Sequence, residues 1–324
     1  MIFGAEAALQ ALDAAMGEDP TVLLFGEDLA DREGGGVMGA SKGLSTKYGD
    51  LRVRSTPISE QAIMGAAVGA AIAGMRPVAE IMLMNFLTVC MDQIVNHAAK
   101  IRFMSGGQTS CPLTIRTMTG VGAGLGGQHS DMLEAWFAHV PGLKVVVPSN
   151  HADWTGLLHE SIMDDNPVLF VESTLMMRAK GAAAPIGHRL PLGKANVART
   201  GSDVSVIGYG RPINDALAIA EKLSGEGVSV EVIDLRTVAP WDKEAVLTSV
   251  AKTGRAVIVH EAVRNFGCGG EIAATIGEEL FGQLKAPIRR VGSRNTPVPV
   301  SPVLEKAFAW SQSDIEAAIR STLN

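Results

Sequence analysis

Apolar residues in this chain fall into short continuous runs, separated by longer stretches with a helical period. The runs TVLLFG (21–26), RPVAEI (76–81), PLTIRTM (112–118), LKVVVP (143–148) and PVLFVE (167–172) have strand length. Their hydrophobicity is continuous rather than alternating, which predicts a parallel sheet covered on both faces. Helical patterns lie between them, at about 5–16, 60–74, 86–104, 131–138 and 150–163. Strand and helix in alternation predict a doubly wound α/β domain.

Residues 175–200 break the rhythm with two prolines, three glycines and scattered basic residues, and read as a connection with some extended structure. A second α/β series follows. Strands are expected at 203–210, 228–235, 256–261 and 287–292, and helices at 214–223, after Trp241, from Glu271 and near 312–323. The fold expected is therefore α/β with two domains, each a mainly parallel sheet with flanking helices. The division expected is 1–180 for the first domain, 181–196 for a linker and 197–324 for the second.

Composition supports this and narrows the function classes. A chain of 324 residues exceeds one ordinary core. Hydrophobic residues make up 47% and charged residues 19%, which excludes disorder. The net charge of −6, without a basic run, argues against a nucleic-acid partner. The longest apolar run, 62–75, is too short and too glycine-rich to cross a bilayer. The opening MIFGAEAALQALDAAM lacks a basic leader and reads as an amphipathic helix. Cys90, Cys111 and Cys268 are odd in number with no metal-ligand spacing, so reduced thiols in the cytoplasm are expected.

Four segments could carry chemistry. Glu60 follows Ser59, a good helix N-cap residue, and opens the apolar helix EQAIMGAAVGAAIAG. One reading is compensation of the helix dipole. The other is a carboxyl whose dry surroundings raise its pKa and let it hold or pass a proton. His129 follows a glycine cluster, GVGAGLGG (120–127), that only loosely resembles a phosphate-cradling loop. A lone histidine is most often structural, but one presented by a glycine loop is accessible. Phe86 lies just past a strand end, where ligands bind in α/β sheets, although core is the ordinary place for a phenylalanine. On the same segment, Asp92 and Gln93 suggest a buried polar contact. The turn DDNP (164–167) reads as a helix-to-strand turn, or as clustered oxygens for a hard cation.

Taken together, these segments resemble the β subunit of the two-chain thiamine-diphosphate decarboxylase components of 2-oxo acid dehydrogenase complexes. The resemblance rests on LLFGED (23–28), KYGD (47–50), TPISE (56–60), GAAVGAAIAGMRPVAE (65–80) and MDQIVNHAAK (91–100). It continues through GGQHS (126–130), EAWFAHVPGLKVVVPS (134–149), DDNPVLFVE (164–172), IDLRTVAPWD (233–242) and TPVPVSP (296–302). Acetoin and bacterial pyruvate dehydrogenase members look most similar. Ser55 stands where the family usually has an acid before TPISE.

The resemblance implies roles for particular residues. Glu60 would hydrogen-bond the aminopyrimidine of thiamine diphosphate, favouring the imino tautomer that generates the ylid. Phe86 would pack on that ring and Ile58 would lie beside it. Glu27 would belong to a polar channel between paired sites. His129 would serve transfer of the acyl group to the lipoyl disulfide, protonating the departing sulfur. Leu113, Ser161, Ile162, Asp164 and Asn166 would form a potassium site, mainly through carbonyl oxygens. The family's GDG motif for diphosphate and magnesium is absent from this sequence. Magnesium is thus expected on an α subunit that completes an α2β2 heterotetramer. The second domain would serve subunit contact and docking to a lipoyl acyltransferase core. The reaction expected is decarboxylation of a 2-oxo acid, or cleavage of acetoin, with transfer to lipoamide. The alternatives are a thiamine-dependent acyloin-forming or transketolase-like transferase without lipoamide, and a non-catalytic electron-transfer or nucleotide-binding protein suggested only by the glycine loops.

Overall fold

A computed structural model describes residues 1–323. In chain order, the first half begins β1 (Ile2–Phe3), α1 (Gly4–Glu18), β2 (Val22–Gly26), α2 (Leu44–Tyr48), β3 (Val53–Ser55), α3 (Glu60–Ile72) and β4 (Arg76–Leu83). It continues α4 (Ile101–Met104), β5 (Thr114–Thr119), α5 (Gly127–Ser130), α6 (Glu134–Ala138), β6 (Lys144–Val146), α7 (His151–Met163), β7 (Val168–Ser173), α8 (Thr174–Arg178) and β8 (Lys180–Gly181). The second half begins β9 (Asn196–Arg199), β10 (Val204–Gly208), α9 (Pro212–Ser224), β11 (Val230–Asp234), β12 (Thr237–Ala239) and α10 (Lys243–Thr253). It closes with β13 (Ala256–Val263), α11 (Gly269–Leu280), β14 (Arg289–Ser293), α12 (Pro302–Phe308) and α13 (Gln312–Leu323).

The expected strands are present and organise two sheets. One has seven strands in the order β12-β6-β7-β5-β4-β2-β3, parallel except for β12. The other has five in the order β14-β13-β10-β11-β9, parallel except for β9. Central strands are buried along their length, as continuous apolar runs require: every residue of β5, β10 and β11 is buried. The helices pack by shape. α1 presents Ala7, Ala8, Ala11 and Ala15, all fully buried, and such short side chains let it lie close against α7.

The two halves share an apolar core. One cluster runs from Ile63, Met64 and Leu87 through Tyr209 and Ile233 to Ile276. Polar contacts also cross the boundary. Arg236 holds Asp153 at 2.7 and 2.9 Å, Asn214 donates to the Ser149 carbonyl at 2.8 Å, and the Ser149 hydroxyl donates to Asp234. β12, from the second half, joins the edge of the first sheet beside β6. Nothing in the IDLRTVAPWD run signalled a strand there, because the pairing is set by the docked halves rather than by a local pattern.

Some sequence expectations need correction. The single helix expected over 86–104 is broken into a 3-10 segment (Met84–Cys90), a π turn (Gln93–Ala98) and α4. The wide turn is visible in the bond from the Ala99 N–H to the Ile94 carbonyl, five residues back. Asp92 is exposed and accepts from Asn96 at 2.8 Å, and Gln93 Oε1 is buried without a partner, so the buried polar contact expected there does not form. The helix expected over 131–138 is shortened to α6, with α5 a separate turn before it. Ser59 precedes α3 but its hydroxyl makes no capping bond. No helix among the described residues is long and apolar enough to cross a membrane.

Candidate functional site

Strands β5, β4, β2 and β3 are neighbours in the larger sheet and run parallel, so their C-terminal ends share one edge. Each end leads into one of the segments singled out in the sequence. β2 ends at Gly26 and delivers Glu27. β3 ends at Ser55 and leads through Ile58 to Glu60 at the first position of α3. β4 delivers Phe86, and β5 leads through the glycine loop to His129 on α5. The Thr56 N–H donates to the Gly26 carbonyl at 2.9 Å and ties the first two segments together. This edge is where parallel α/β sheets bind ligands.

The side chains gather along this edge, Glu27 beside Glu60 and Phe86 against His129. The Phe86 and His129 rings meet edge to face with centroids 5.4 Å apart. Glu27 resists ionisation: burial raises its pKa, and the nearby charges of Glu60, Asp28 and Glu80 raise it further. Cys90 lies close enough for the same Glu60 charge to act on it, and burial above all pushes its thiol up to about 12. Ile58 projects outward, 82% exposed, a large apolar side chain at the rim of the cluster. Thr56 Oγ1, Gln93 Oε1 and Ser130 Oγ are buried here without partners. These three, of eleven such atoms among the described residues, are free to bond a polar ligand. A carboxyl, an aromatic ring and an imidazole over one sheet edge suit a flat heteroaromatic ring with polar substituents.

Next to Glu27 lies an ion triad that the sequence reading did not single out. Arg116 on β5 is 1% exposed and donates to Glu172 at 2.9 and 3.0 Å and to Glu80 at 2.6 Å. One guanidinium faces two acids, and burial pushes Glu172 up to about 7 against the pull of Arg116. Because Glu80 also acts on Glu27, the triad contributes to the potential at the site. An acid inside the apolar strand RPVAEI was the available clue.

The glycine loop does not cradle a phosphate. The Val121 N–H donates to Glu261 at 2.9 Å, and the Gly122 N–H to Glu305 at 2.7 Å. Both acids come from the second half, so the Val121, Gly122 and Gly124 N–H groups are already occupied. No cluster of three or more His, Cys, Asp or Glu residues able to hold a metal occurs among the described residues.

The residues expected to bind potassium lie at the opposite edge of the sheet, where α7 turns into β7. Leu113 and Ile162 are buried, and Ser161 donates its hydroxyl to the Leu157 carbonyl at 2.7 Å. Lys144 pairs with the Asp164 carboxylate, Arg102 donates to Asn166 Oδ1 at 2.7 Å, and Arg76 donates to the Met163 and Asp164 carbonyls at 3.1 Å each. The side-chain oxygens of Asp164 and Asn166 are thus engaged by cations of the protein. A monovalent ion could be held here only by main-chain oxygens at the C-terminus of α7.

A separate groove of about 990 Å³ opens between the halves, lined by Met91, Leu133, Trp136, Trp241, Phe266 and Cys268. It contains none of Glu27, Glu60, Phe86 or His129.

Comparison with known proteins agrees with this architecture. The transketolase pyrimidine binding domain matches residues 3–180, and the transketolase C-terminal domain matches residues 193–315. The β subunit of the acetoin:2,6-dichlorophenolindophenol oxidoreductase of Cupriavidus necator is 44% identical over 322 residues, covering 97% of this chain and 95% of that one. The corresponding subunit of Bacillus subtilis is 42% identical, covering 94% of this chain and 92% of its own. The mitochondrial pyruvate dehydrogenase E1 component subunit beta of Rattus norvegicus is 42% identical, with coverage of 98% and 90%. A solved split-gene transketolase, described as an inactive β4 tetramer, superposes with a TM-score of 0.80 over 99% of this chain and 98% of that one. At 22% identity, that likeness speaks for the fold alone.

Proposed function

We propose a function from the premise that this chain belongs to the β subunits of the first components of acetoin and 2-oxo acid dehydrogenases, built from transketolase-type pyrimidine-binding and C-terminal domains. The chain holds the pyrimidine half of a thiamine-diphosphate site. With an α subunit it cleaves acetoin or decarboxylates a pyruvate-like 2-oxo acid and passes the acyl group to lipoamide. The observation that carries this reading is the gathering of Glu27, Glu60, Phe86 and His129 beyond four adjacent parallel strand ends.

Thiamine diphosphate, when bound, supplies the carbon nucleophile and electron sink for cleavage next to the substrate carbonyl. This chain's residues set the conditions. Glu60 holds a proton against a pyrimidine nitrogen. Glu27 beside it resists ionisation, through burial first and the neighbouring acidic charges second. Phe86 offers a flat face to the ring, and Ile58 shields its edge from water. His129, edge-on to Phe86, stands where it can protonate a leaving sulfur of the lipoyl disulfide.

The partner chain is part of the proposal. The sequence lacks the family's GDG motif, so the diphosphate and magnesium ligands are assigned to an α subunit in an α2β2 heterotetramer. A lipoyl acyltransferase core is the proposed acceptor, with the domain from about 197 as its docking unit. Potassium at the turn 161–166, through main-chain oxygens, and residence in the cytoplasm complete the reading. A transferase uncoupled from lipoamide is set aside, because the relatives named above are oxidoreductase and dehydrogenase subunits. The test is co-expression with the α subunit, followed by a panel of acetoin, pyruvate and branched 2-oxo acids with lipoyl domain as acceptor. Acylated lipoyl domain with one of these donors is expected. Dye reduction without lipoyl acylation for every donor would refute the acceptor.

A further inference from the structure

We propose that the second domain positions His129: Glu305, with Glu261 and Arg211, clasps the glycine loop that carries the imidazole, while Asn85 fixes the loop's other end. The inference rests on the reading of His129 as the acid of acyl transfer. It goes beyond that reading by assigning the C-terminal domain a part in the step.

The loop needs holding. Gly120, Gly122, Gly124 and Gly126 have φ of 118°, 109°, 69° and 75°, a region that other residues rarely adopt. A segment so rich in glycine loses much conformational freedom when ordered, so it stays put only where contacts offset that loss. The contacts come from the second half. Glu305 of α12, 4% exposed, accepts the Gly122 N–H at 2.7 Å and the Gly124 N–H at 3.3 and 3.2 Å. Its charge is thus met by main-chain donors in a concave nest, an arrangement of strong charge-assisted hydrogen bonds. Glu261 of β13 accepts the Val121 N–H at 2.9 Å, and Arg211 donates to the Val121 carbonyl at 2.7 Å. The TPVPVSP segment closes from below. A Cβ on Gly126 would stand 2.7 Å from Val300 Cγ2, so only glycine seats there without displacement.

The other end is gripped from the first half. Asn85 donates to the Gly127 carbonyl and to Asp131 Oδ2, both at 2.9 Å, and accepts the Asp131 N–H at 3.2 Å. The Thr119 hydroxyl donates to the Asp131 carbonyl at 2.7 Å. His129 sits within the Asn85 ties, between Gly127 and Asp131, and the second-domain ties hold the segment 121–124 that leads into it, so its ring position depends on both. Neither Glu305 nor Asn85 hydrogen-bonds the imidazole, so both are positioning residues.

The experiment uses the assembled complex with the α subunit, cofactor and magnesium. It compares wild type, Glu305→Gln, His129→Ala and the double variant, with a lipoyl domain and a redox dye as alternative acceptors. Glu305→Gln should slow lipoyl acylation on the order of tenfold to a hundredfold, as misplacement of a catalytic group does, and dye reduction much less. In the His129→Ala background it should cost nothing further, because residues acting through one group are not additive. Hydrogen exchange in the peptide 120–131 should accelerate in Glu305→Gln. Wild-type acyl transfer, equal loss with both acceptors, or multiplying losses in the double variant would overturn the proposal. If the wild-type complex itself reduces dye but never acylates a lipoyl domain, the reading of His129 fails separately, and hydrogen exchange alone judges the clasp. Should Glu305→Gln not assemble, Asn85→Ser tests the opposite end by the same cycle.

Discussion

Replacing Glu134 by glutamine should stabilise the protein at pH 8 and leave it nearly unchanged at pH 5. Glu134 is fully buried between the halves, where its Oε1 accepts the Tyr209 hydroxyl at 2.6 Å and its Oε2 has no partner. Burial pushes this carboxyl from 4.5 up to about 7, although the Tyr209 bond pulls it back. The folded state therefore holds the proton more tightly than the unfolded chain. The associated stability is fully present below pH 4.5 and is lost as the pH rises through 7. Each pH unit across that gap is worth about 1.4 kcal/mol, so the loss by pH 8 is about 3 kcal/mol. At pH 5 it is below ~1 kcal/mol by the same arithmetic. Glutamine keeps the acceptor for Tyr209 and cannot ionise, but its amide nitrogen replaces an unpartnered oxygen, which costs about 1 kcal/mol. The net gain expected at pH 8 is about 1–2 kcal/mol. Urea unfolding followed by tryptophan fluorescence, for both proteins at both pH values, reads it. The same difference at pH 5 and pH 8 would show that Glu134 does not take up a proton on folding.

Other outcomes follow from the same geometry. Arg116→Met leaves Glu80 and Glu172 facing each other without their cation, and should cost about 3–5 kcal/mol in denaturation; an unchanged midpoint would show that the triad is not held as described. His129→Ala should slow lipoyl acylation more than the loss of carbon dioxide or the cleavage of acetoin, measured in single turnovers; equal slowing of both steps would reject the division of labour. Exchanging sodium for potassium should raise the Tm if the turn 161–166 binds the ion, and an identical Tm at equal ionic strength would remove potassium from the account.

The fold was legible wherever burial sets the pattern. The central strands are covered on both faces, so their runs are continuous, and β2, β4, β5, β7, β10, β11 and β13 follow directly from them. Three-residue β12 and seven-residue α12 were not legible, because docking across the two halves, rather than local periodicity, holds them. The segment 84–104 misled because its apolar spacing is helical while its turns change width along the run. At the site, Glu60, Phe86 and His129 were marked by their places after strands and at a glycine loop. Asn85, Glu261 and Glu305 were not. An asparagine before a phenylalanine and two acids more than 130 residues from the loop they bind carry no local sign of that contact.

The central claim is that Glu60 shares a proton with the pyrimidine ring, and its most direct test is exchange at the cofactor's reactive carbon. In the assembled enzyme, deuterium uptake at the thiazolium carbon is followed by NMR for wild type and Glu60→Gln, with cofactor binding checked by calorimetry. Glu60→Gln should bind the cofactor but exchange at least ~100-fold more slowly, the scale of lost general acid–base catalysis. Exchange at the wild-type rate in a fully loaded Glu60→Gln enzyme would contradict the claim.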